Sequence, residues 1–294
     1  MGKEGGSYPN IVFCLGNGQS RVGVDLKKLR QHGKVYGCNA IYRTNPDDVD
    51  VLVGVDQGIM HEMYHSGICE KIPTYFRNWS KVPAELYDNM IKAGATDEDI
   101  RLAREEGAFY ENDRTGCKEF VMHGSSVSGV AHVVRNEKTK GRKFVQQKSI
   151  KISWLKEGNK SKCLNDIEDF LDKGWAAGPT ATYISCLLEQ PNEVYLLGMD
   201  LNSTTGKVNN IFAGTPNYVL KDHAPTPSVN WVQQLKETFF DFSGKHKSKK
   251  VMFYKVQNSI KGGDDVNRVV REWTDHKGNL DYMNYDEFYK KFNL

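Results

Sequence analysis

The stretch IVFCLGNGQSR, residues 11–21, decides the fold that the sequence predicts. Five apolar residues stop at Gly16-Asn17-Gly18, and DLKKLRQHG, residues 25–33, follows with the polarity of a surface helix. A short apolar run that breaks into a glycine turn before a helix is typical of a buried strand in an α/β protein. Ligand phosphates often bind at such turns, because glycine lets a ligand approach the backbone.

The rest of the chain repeats this alternation. Strand-like runs are KVYGCNAIY (34–42), VDVLVGVD (49–56), IPTYFRNW (72–79), NEVYLLGMDL (192–201) and KVMFYKVQ (250–257). Helix-like segments are QGIMHEMYHSG (57–67), LNDIEDFLDKG (164–174), GPTATYISCLLEQ (178–190), SVNWVQQLKETFFDF (228–242) and DYMNYDEFYKKF (281–292). Strands that alternate with helices predict an α/β fold with a mainly parallel sheet and helices on both faces, of the Rossmann-like, nucleotide-binding kind.

The middle of the chain has a different character. Residues 82–107 are charged and helix-prone, and residues 117–155 alternate with a period of two, as strands do. We therefore expect an α/β domain formed by 1–81 and 164–260. Residues 82–163 form an inserted helical and β-hairpin region or lid, and 261–294 a helical tail.

Composition narrows the class of protein. The 294 residues are 39% hydrophobic and carry a net charge of +3, which favours a globular core and does not demand nucleic acid as a partner. No apolar run is long enough to span a membrane, and the first ten residues have no apolar segment of a signal peptide. With no C-x-x-C pair among six cysteines, we expect reduced thiols and a cytoplasmic location.

Small or polar residues follow each of the predicted strands. They are Gly16-Asn17-Gly18, Cys38-Asn39, Asp56 and Gly198-Met199-Asp200. Because ligands of open parallel sheets bind at the carboxyl ends of the strands, these residues should surround one site. The turn lacks the G-x-G-x-x-G spacing of dinucleotide-binding folds, since position 21 is Arg, and it also lacks the G-K-[ST] ending of a P-loop. The first absence disfavours NAD as a ligand, and the second disfavours ATP hydrolysis.

The ordered set GNGQS, VYGCNAIY, VLVGVDQG and EVYLLGMDL resembles the sialyltransferases of glycosyltransferase family 42 and the related motility-accessory-factor-like domains. The resemblance covers about half of the chain, at its two ends. It implies a nucleotide-sugar donor, CMP- or UDP-linked, transfer of the sugar without a metal ion, and no further cofactor.

The same resemblance assigns roles to individual residues. Asn17, with Gly16, Gly18 and Ser20 in its turn, matches the asparagine that contacts the donor phosphates. Asn39 matches the asparagine near the nucleotide, and Asp56 is expected in the donor site where the family usually has another asparagine. Gly178 and Thr180 lie at the helix start near the base. Asp200 matches the acid at a strand end, and His223 matches the general base; we expect both to be catalytic. His223 also lies in a polar loop of 28 residues, beside Asp222 and ahead of a helix.

One part of the family pattern is missing. The family has two tyrosines after the strand-end acid that stabilise the leaving phosphate, whereas Asn202 and Val208 stand near those places. Tyr218, Lys207 or Lys221 could substitute, because a phenol or an ammonium can stabilise a phosphate. This departure leaves the nucleotide and the sugar open.

Two other motifs suggest different chemistry. His61 and His65 in HEMYH match the H-E-x-x-H spelling of zinc hydrolases, but no third ligand follows, so we interpret them as a polar helix face and expect no metal. The segment HGSSVSG, residues 123–129, lacks the G-x-S-x-G arrangement of a nucleophilic serine and favours a turn between strands.

Two basic stretches, KTKGRK (138–143) and KHKSKK (245–250), could contact the phosphates of DNA, or could simply be solvated turns. The sequence thus predicts a glycosyltransferase with a histidine base. Its acceptor would be a glycan or, by analogy with bacteriophage enzymes, a hydroxymethylated pyrimidine in DNA. The alternatives are a nucleotide-binding or structural protein without turnover, and another nucleotide-dependent enzyme such as a hydrolase.

Overall fold

The computed structural model divides the chain into two compact units, which are described separately. Unit 1 comprises Met1–Val53 and Gly174–Leu294, and unit 2 comprises Gly54–Lys173. The residues described are 10–56, 59–60, 62–63, 66–77, 107–112, 117–124, 129–140, 143–153, 160–164, 167–170, 173–245, 250–258, 270–276 and 278–294, with side chains except in 107–153 and at Cys163.

Six parallel strands form the core of unit 1. They are β1 (Ile11–Leu15), β2 (Lys34–Cys38), β3 (Val51–Gly54), β10 (Glu193–Leu197), β11 (Met252–Gln257) and β12 (Leu280–Asn284). Their order across the sheet is β12-β11-β10-β1-β2-β3, and every described pairing between them is parallel. The α/β fold and the parallel sheet that the sequence predicts are confirmed.

The order of the strands marks one place in the sheet. From β1 the chain proceeds to β2 and β3 on one side, and from β10 it proceeds to β11 and β12 on the other. The topological switch point therefore lies between β1 and β10, whose residues pair in register from Ile11 with Glu193 to Leu15 with Leu197. Ligands of doubly wound sheets bind outside the carboxyl ends of the two strands at this point.

Alternate residues of β1 face helices on opposite sides of the sheet. The helices of unit 1 are α1 (Leu26–Leu29), α3 (Ala177–Glu189), α4 (Val229–Asp241) and α5 (Tyr285–Phe292). The ring of Phe13 lies 5.1 Å from that of Phe292 on α5, whereas Sγ of its neighbour Cys14 lies 3.4 Å from Oγ of Ser185 on α3. Helices thus cover both faces of the sheet, as predicted.

Unit 2 contains a parallel pair of strands and an antiparallel sheet. The strands β4 (Thr74–Phe76) and β9 (Ser161–Cys163) are parallel, and α2 (Ile68–Lys71) precedes β4. The antiparallel sheet has the order β5-β6-β7-β8, formed by β5 (Gly107–Asn112), β6 (Cys117–Gly124), β7 (Gly129–Lys140) and β8 (Lys143–Ser153). The hairpin expected around NEKTKGRK is present, because Lys140 pairs with Lys143.

Three predicted helices differ from the structure. Helix α1 ends at Leu29 because the next turns close with tighter bonds, from Gln31 N–H to Lys28 O and from His32 N–H to Leu29 O. The described part of 164–174 forms turns, since Asp169 has a φ of 63°, which a right-handed helix does not allow. Residues 281–284 belong to β12, so the expected helical tail contributes a sixth strand before α5.

Among the described residues, no helix is both long enough and apolar enough to cross a membrane.

Candidate functional site

The residues that follow β1 and β10, 16–21 and 198–200, form the switch-point edge of unit 1. Beyond the strands, the pairing continues: Gly16 N–H donates to Leu197 O at 2.8 Å, and Gly18 N–H donates to Gly198 O at 2.9 Å. A Cβ on Gly16 would lie 2.4 Å from Gly198 O, and one on Gly18 would lie 2.3 Å from an Asp200 carboxylate oxygen. The glycines are therefore required by the approach of β10 itself, whether or not a ligand binds.

The carboxylate of Asp200 occupies the turn after β1. Its Oδ2 accepts from the backbone N–H of Ser20 at 3.0 Å and from Nδ2 of Asn209 at 3.1 Å, and its Oδ1 accepts from the Ser20 hydroxyl. The neighbouring Gln19 N–H donates to Oδ1 of Asn209 at 2.8 Å. The anion that this turn binds is therefore the protein's own Asp200 carboxylate. Asp200 positions the turn here, and its predicted catalytic role stays a prediction.

Asn17 connects the first turn to two other segments. Its Nδ2 donates to Cys38 O at 3.3 Å and to the Tyr218 hydroxyl at 3.2 Å, and its Oδ1 accepts from Nη2 of Arg21 at 3.3 Å. Both donor hydrogens of this side chain and one lone pair of its oxygen are therefore used within the protein. For Asn17 to contact a phosphate through its amide, a ligand would have to replace one of these bonds.

The helix predicted after the turn is short in the structure, so it contributes little helix dipole at this place. The turn leads into a single 3₁₀ turn, Gln19–Arg21, and α1 has only four residues. Few aligned peptide dipoles follow Gly18, so stabilisation of an anion here depends on side chains.

The long polar loop, residues 201–228, folds over the ends of β1 and β2. Ile211 N–H donates to Asn17 O at 2.8 Å. Arg43, in the 3₁₀ turn after β2 (Asn39–Arg43), donates to Oγ1 of Thr215 at 2.6 Å and to Pro216 O at 2.8 Å. A loop of this length that is held at several points fits the sequence-based interpretation of a functional loop.

Tyr218 is the loop residue whose side chain contacts the side chain of Asn17. Its hydroxyl is 3.2 Å from both Nδ2 of Asn17 and the backbone N of Ala40, each of which donates to it. The guanidinium of Arg43 lies 5.7 Å from the centre of its ring. Of the three residues considered as substitutes for the missing tyrosines, Tyr218 is thus the one that hydrogen-bonds to the predicted phosphate turn.

Lys207 and Asp222 form an exposed ion pair beside the predicted base, with Nζ and Oδ1 2.5 Å apart. The hydrogen bond from Lys207 lowers the pKa of the Asp222 carboxyl. Asp222 is adjacent to His223 in the sequence, but the described partner of its carboxylate is Lys207.

His223 is exposed, and its ring is oriented by the next residue. Nδ1 lies 2.8 Å from Ala224 O. Because a carbonyl oxygen only accepts, this contact places the proton of the neutral ring on Nδ1 and leaves the lone pair on Nε2. The backbone oxygen of His223 accepts from Val208 N–H at 2.8 Å, and the next residue, Asn209, bonds to Asp200.

The remaining predicted donor-site residues of unit 1 have varied surroundings. Asn39 is buried after β2 with a φ of 52°, and Oδ1 of Asn202 accepts from Ser203 N–H at 2.8 Å. At the start of α3, a Cβ on Gly178 would lie 3.0 Å from Sδ of Met199, so the helix start packs against the end of β10. Oγ1 of Thr180, in the same helical turn, is buried without a hydrogen-bond partner among the described residues.

Asp56 belongs to unit 2, where it is exposed and its backbone oxygen accepts from Met60 N–H at 2.9 Å. Its predicted role beside the nucleotide stays a prediction. His61 and His65 lie outside the described residues, as do residues 125–128 of HGSSVSG and most of the basic stretch 245–250. The backbone of the other basic stretch is described in β7 and β8, without its side chains.

Tyr285 and Arg21 are among the residues at this edge that were not predicted. Tyr285, the first residue of α5, places its hydroxyl 3.1 Å from Oγ of Ser20 and accepts from Gly198 N–H at 3.4 Å. Arg21, inside the opening motif, is buried behind the turn with 6% of its surface exposed. The sequence signal for Arg21 was a charged residue immediately after an apolar strand and turn, whereas nothing in the sequence places Tyr285 here.

No group of three or more His, Cys, Asp or Glu side chains in the described part of the chain is arranged to share a metal ion. Comparison of the chain with protein-family models, with curated proteins and with solved structures finds no significant match.

Proposed function

We propose that unit 1 binds a nucleotide-linked sugar at the switch-point edge and transfers the sugar to an acceptor hydroxyl. The observation that carries the proposal is the contact between Asn17 and Tyr218 at 3.2 Å. It joins the turn after β1 to the loop that bears His223, outside the carboxyl ends of strands where doubly wound sheets bind nucleotides.

In the proposed reaction, Nε2 of His223 accepts the proton of the acceptor hydroxyl, since Nδ1 already carries a proton facing Ala224 O. The acceptor oxygen forms a bond to the anomeric carbon of the sugar, and the bond from that carbon to the donor phosphate oxygen breaks. The nucleotide leaves with the bonding electrons and the negative charge. Tyr218 stabilises this leaving phosphate from the loop, and the transfer needs no metal ion.

Ligand binding is tested first, by thermal unfolding with CMP-, UDP- and GDP-linked sugars. A ligand that binds the folded state raises the midpoint according to RT ln(1 + [L]/Kd). We expect one nucleotide class to raise it. If none of the three does so at millimolar concentration, the proposed donor class is wrong.

Transfer is tested with His223→Ala, using the nucleotide that binds. We expect the variant to bind the donor normally and to transfer sugar at least about 100-fold more slowly, which is the usual contribution of a general base. His32→Ala is the matched control, because His32 lies past α1 against Phe292 and outside the switch-point edge. Turnover of His223→Ala within about tenfold of the unmodified protein contradicts the role of His223.

The acceptor is tested separately. If it is hydroxymethylated DNA bound through 138–143 and 245–250, duplex affinity will fall steeply with salt, because neutralised phosphates release counterions. Binding that does not change with salt contradicts a DNA acceptor and favours a glycan. Donor binding without transfer to either acceptor favours the alternative, a nucleotide-binding protein without turnover.

A further inference from the structure

The backbone donors that usually bind phosphate at a strand–helix turn are already used in this protein. The N–H groups of Gly18, Gln19 and Ser20 donate to Gly198 O, to Asn209 and to Asp200, at 2.8–3.0 Å. A phosphate bound in the turn itself would have to displace the carboxylate of Asp200. The recognition of an anion at this edge must therefore come from another group.

Arg21 has donors that the protein leaves unused. Nε donates to Gly16 O at 2.5 Å and one Nη2 hydrogen is directed to Asn17 Oδ1 at 3.3 Å. A guanidinium has five N–H donors, so three remain without an acceptor among the described residues. Nη1 is not one of the unpartnered polar atoms that are sealed from solvent, so it keeps some contact with solvent although Arg21 as a whole is buried.

The charge of Arg21 is not neutralised at close range. In the described part of the chain no carboxylate lies within 4.0 Å of its nitrogens, and Asp200 attracts it only from farther away. Burial lowers the pKa of the guanidinium, because removing the cation from water is unfavourable. Uncompensated buried charge is expensive, and a bound anion would offset that cost.

The position of Arg21 fits the switch point. Its Cγ and Cδ would lie 3.0 Å from a Cβ on Gly198, so the side chain crosses the end of β10 and its guanidinium lies beside the end of β1. Gly16 O and the Asn17 amide fix the plane of the fork from two sides. This is the place where a doubly wound sheet binds the phosphates of a nucleotide.

We propose that Arg21 is the receptor for a phosphate or diphosphate group at the switch-point edge, with Asn17 as the residue that positions it. The unused guanidinium donors match two phosphate oxygens, as a planar fork does and an ammonium does not. The inference that this phosphate belongs to a nucleotide rests on the proposed function. The inference that Arg21 binds inorganic pyrophosphate does not depend on it.

The test measures binding of inorganic pyrophosphate, of CMP and of cytidine by calorimetry. For the unmodified protein we expect pyrophosphate to bind and CMP to bind at least about tenfold more tightly than cytidine, from one charge-assisted contact. In Arg21→Met the preference for CMP over cytidine should disappear, and in Arg21→Lys it should fall at least about threefold, because the charge remains and the fork is lost.

Lys27→Met is the matched control, since it removes one positive charge from an exposed position on α1. It should leave all three affinities unchanged. An equal loss in Lys27→Met, or an unchanged preference in a folded Arg21→Met, overturns the proposal.

The Arg21 variants could fail to fold, so a second measurement uses the unmodified protein. Phenylglyoxal modifies accessible guanidinium groups, and mass spectrometry locates the adducts. We expect pyrophosphate to slow modification of Arg21 at least about threefold and to leave that of Arg30, which pairs with Asp50, unchanged. Equal rates with and without pyrophosphate overturn the proposal.

These results are distinguishable from failure of the proposed function. Pyrophosphate binding through Arg21 without any sugar transfer retains this inference and removes the glycosyltransferase. If the protein transfers sugar but Arg21→Met still prefers CMP to cytidine as strongly as the unmodified protein does, the glycosyltransferase is retained and this inference is wrong.

Discussion

The carboxylate of Asp200 accepts a hydrogen bond from the backbone N–H of Ser20 at 3.0 Å, so the end of β10 fills the anion-binding position of the turn after β1. Asp200→Asn removes the charge and replaces one acceptor by a donor that faces N–H groups. We expect a loss of about 1–3 kcal/mol in the free energy of unfolding, measured by urea denaturation.

Asp222→Asn is the control for this variant. Asp222 also has a described partner, Lys207, but its side chain is 81% exposed. Its replacement should leave the free energy of unfolding nearly unchanged, because exposed ion pairs contribute little. Equal losses in the two variants would show that Asp200 does not hold the turn.

Gly16→Ala tests the close approach of the two strand ends. The added methyl group would lie 2.4 Å from Gly198 O, which is a backbone atom, and the backbone of Gly16 is itself held by a hydrogen bond to Leu197 O. We expect destabilisation of at least about 1–3 kcal/mol, as for other overpacked sites. Gly278→Ala is the comparison, since a Cβ there meets nothing within 4 Å. A stable Gly16→Ala protein would mean that the turn has room to move.

Lys255 predicts a pH dependence of stability. It is 2% exposed on β11, its Nζ donates to Oε1 of Gln257 at 2.8 Å, and burial lowers its pKa from 10.5 to about 8. Between these values the unfolded chain binds more protons than the folded one, so this residue makes the protein more stable as pH rises. The gain is on the order of 3 kcal/mol across the window.

The measurement for Lys255 compares urea denaturation of the unmodified protein with that of Lys255→Met at several pH values. The unfolding free energy of the unmodified protein minus that of Lys255→Met should increase as the pH rises from about 8 to about 10. Lys27→Met corrects for the titration of an exposed lysine. A difference that does not change over this range would contradict a lowered pKa.

The buried cysteines predict selective protection from alkylation. Burial raises the pKa of both Cys14 and Cys69 to about 12, and that of Cys186 well above its ordinary value. Because the thiolate is the nucleophile, iodoacetamide near pH about 8 should leave these three unmodified in the folded protein and modify them in urea. Peptide mass spectrometry measures each site, and rapid native labelling of Cys14 would contradict its burial between β1 and α3.

Much of the sheet was predictable from local pattern. IVFCL, EVYLL and FYKVQ are short apolar segments bounded by turn residues, and a buried parallel strand needs that composition. Helix α3 was also predictable, because Pro179 lies in its first turn and apolar residues continue to its end. The strand DYMN in β12 was not predictable, because its alternation of polar and apolar residues is short. The capping box that follows, Asn284 with Glu287, signals only the start of α5.

The site was predictable as an edge of the sheet but not in its contacts. Polar residues after each strand indicated where Asn17, Asn39 and Asp200 would lie, because parallel strands end on the same side. Tyr218 and Asn17 are 201 positions apart in the sequence, and no local rule specifies such a pairing. Burial of Arg21 likewise depends on Gly16 O and on Gly198, which only the packed sheet brings together.

By itself, the sequence determined the class of fold and the side of the sheet on which chemistry would be found, because strand and helix periodicity and the glycine turn are local properties of the chain. Only the tertiary structure decided what the turn at Gly16-Asn17-Gly18 binds within the protein. Its N–H groups are satisfied by Asp200, Asn209 and Gly198, and its own Arg21 retains the open donors. Hydrogen bonds and charges must be satisfied across the whole packed structure, so the assignment of donors to acceptors appears only when β10, the long loop and β1 are together.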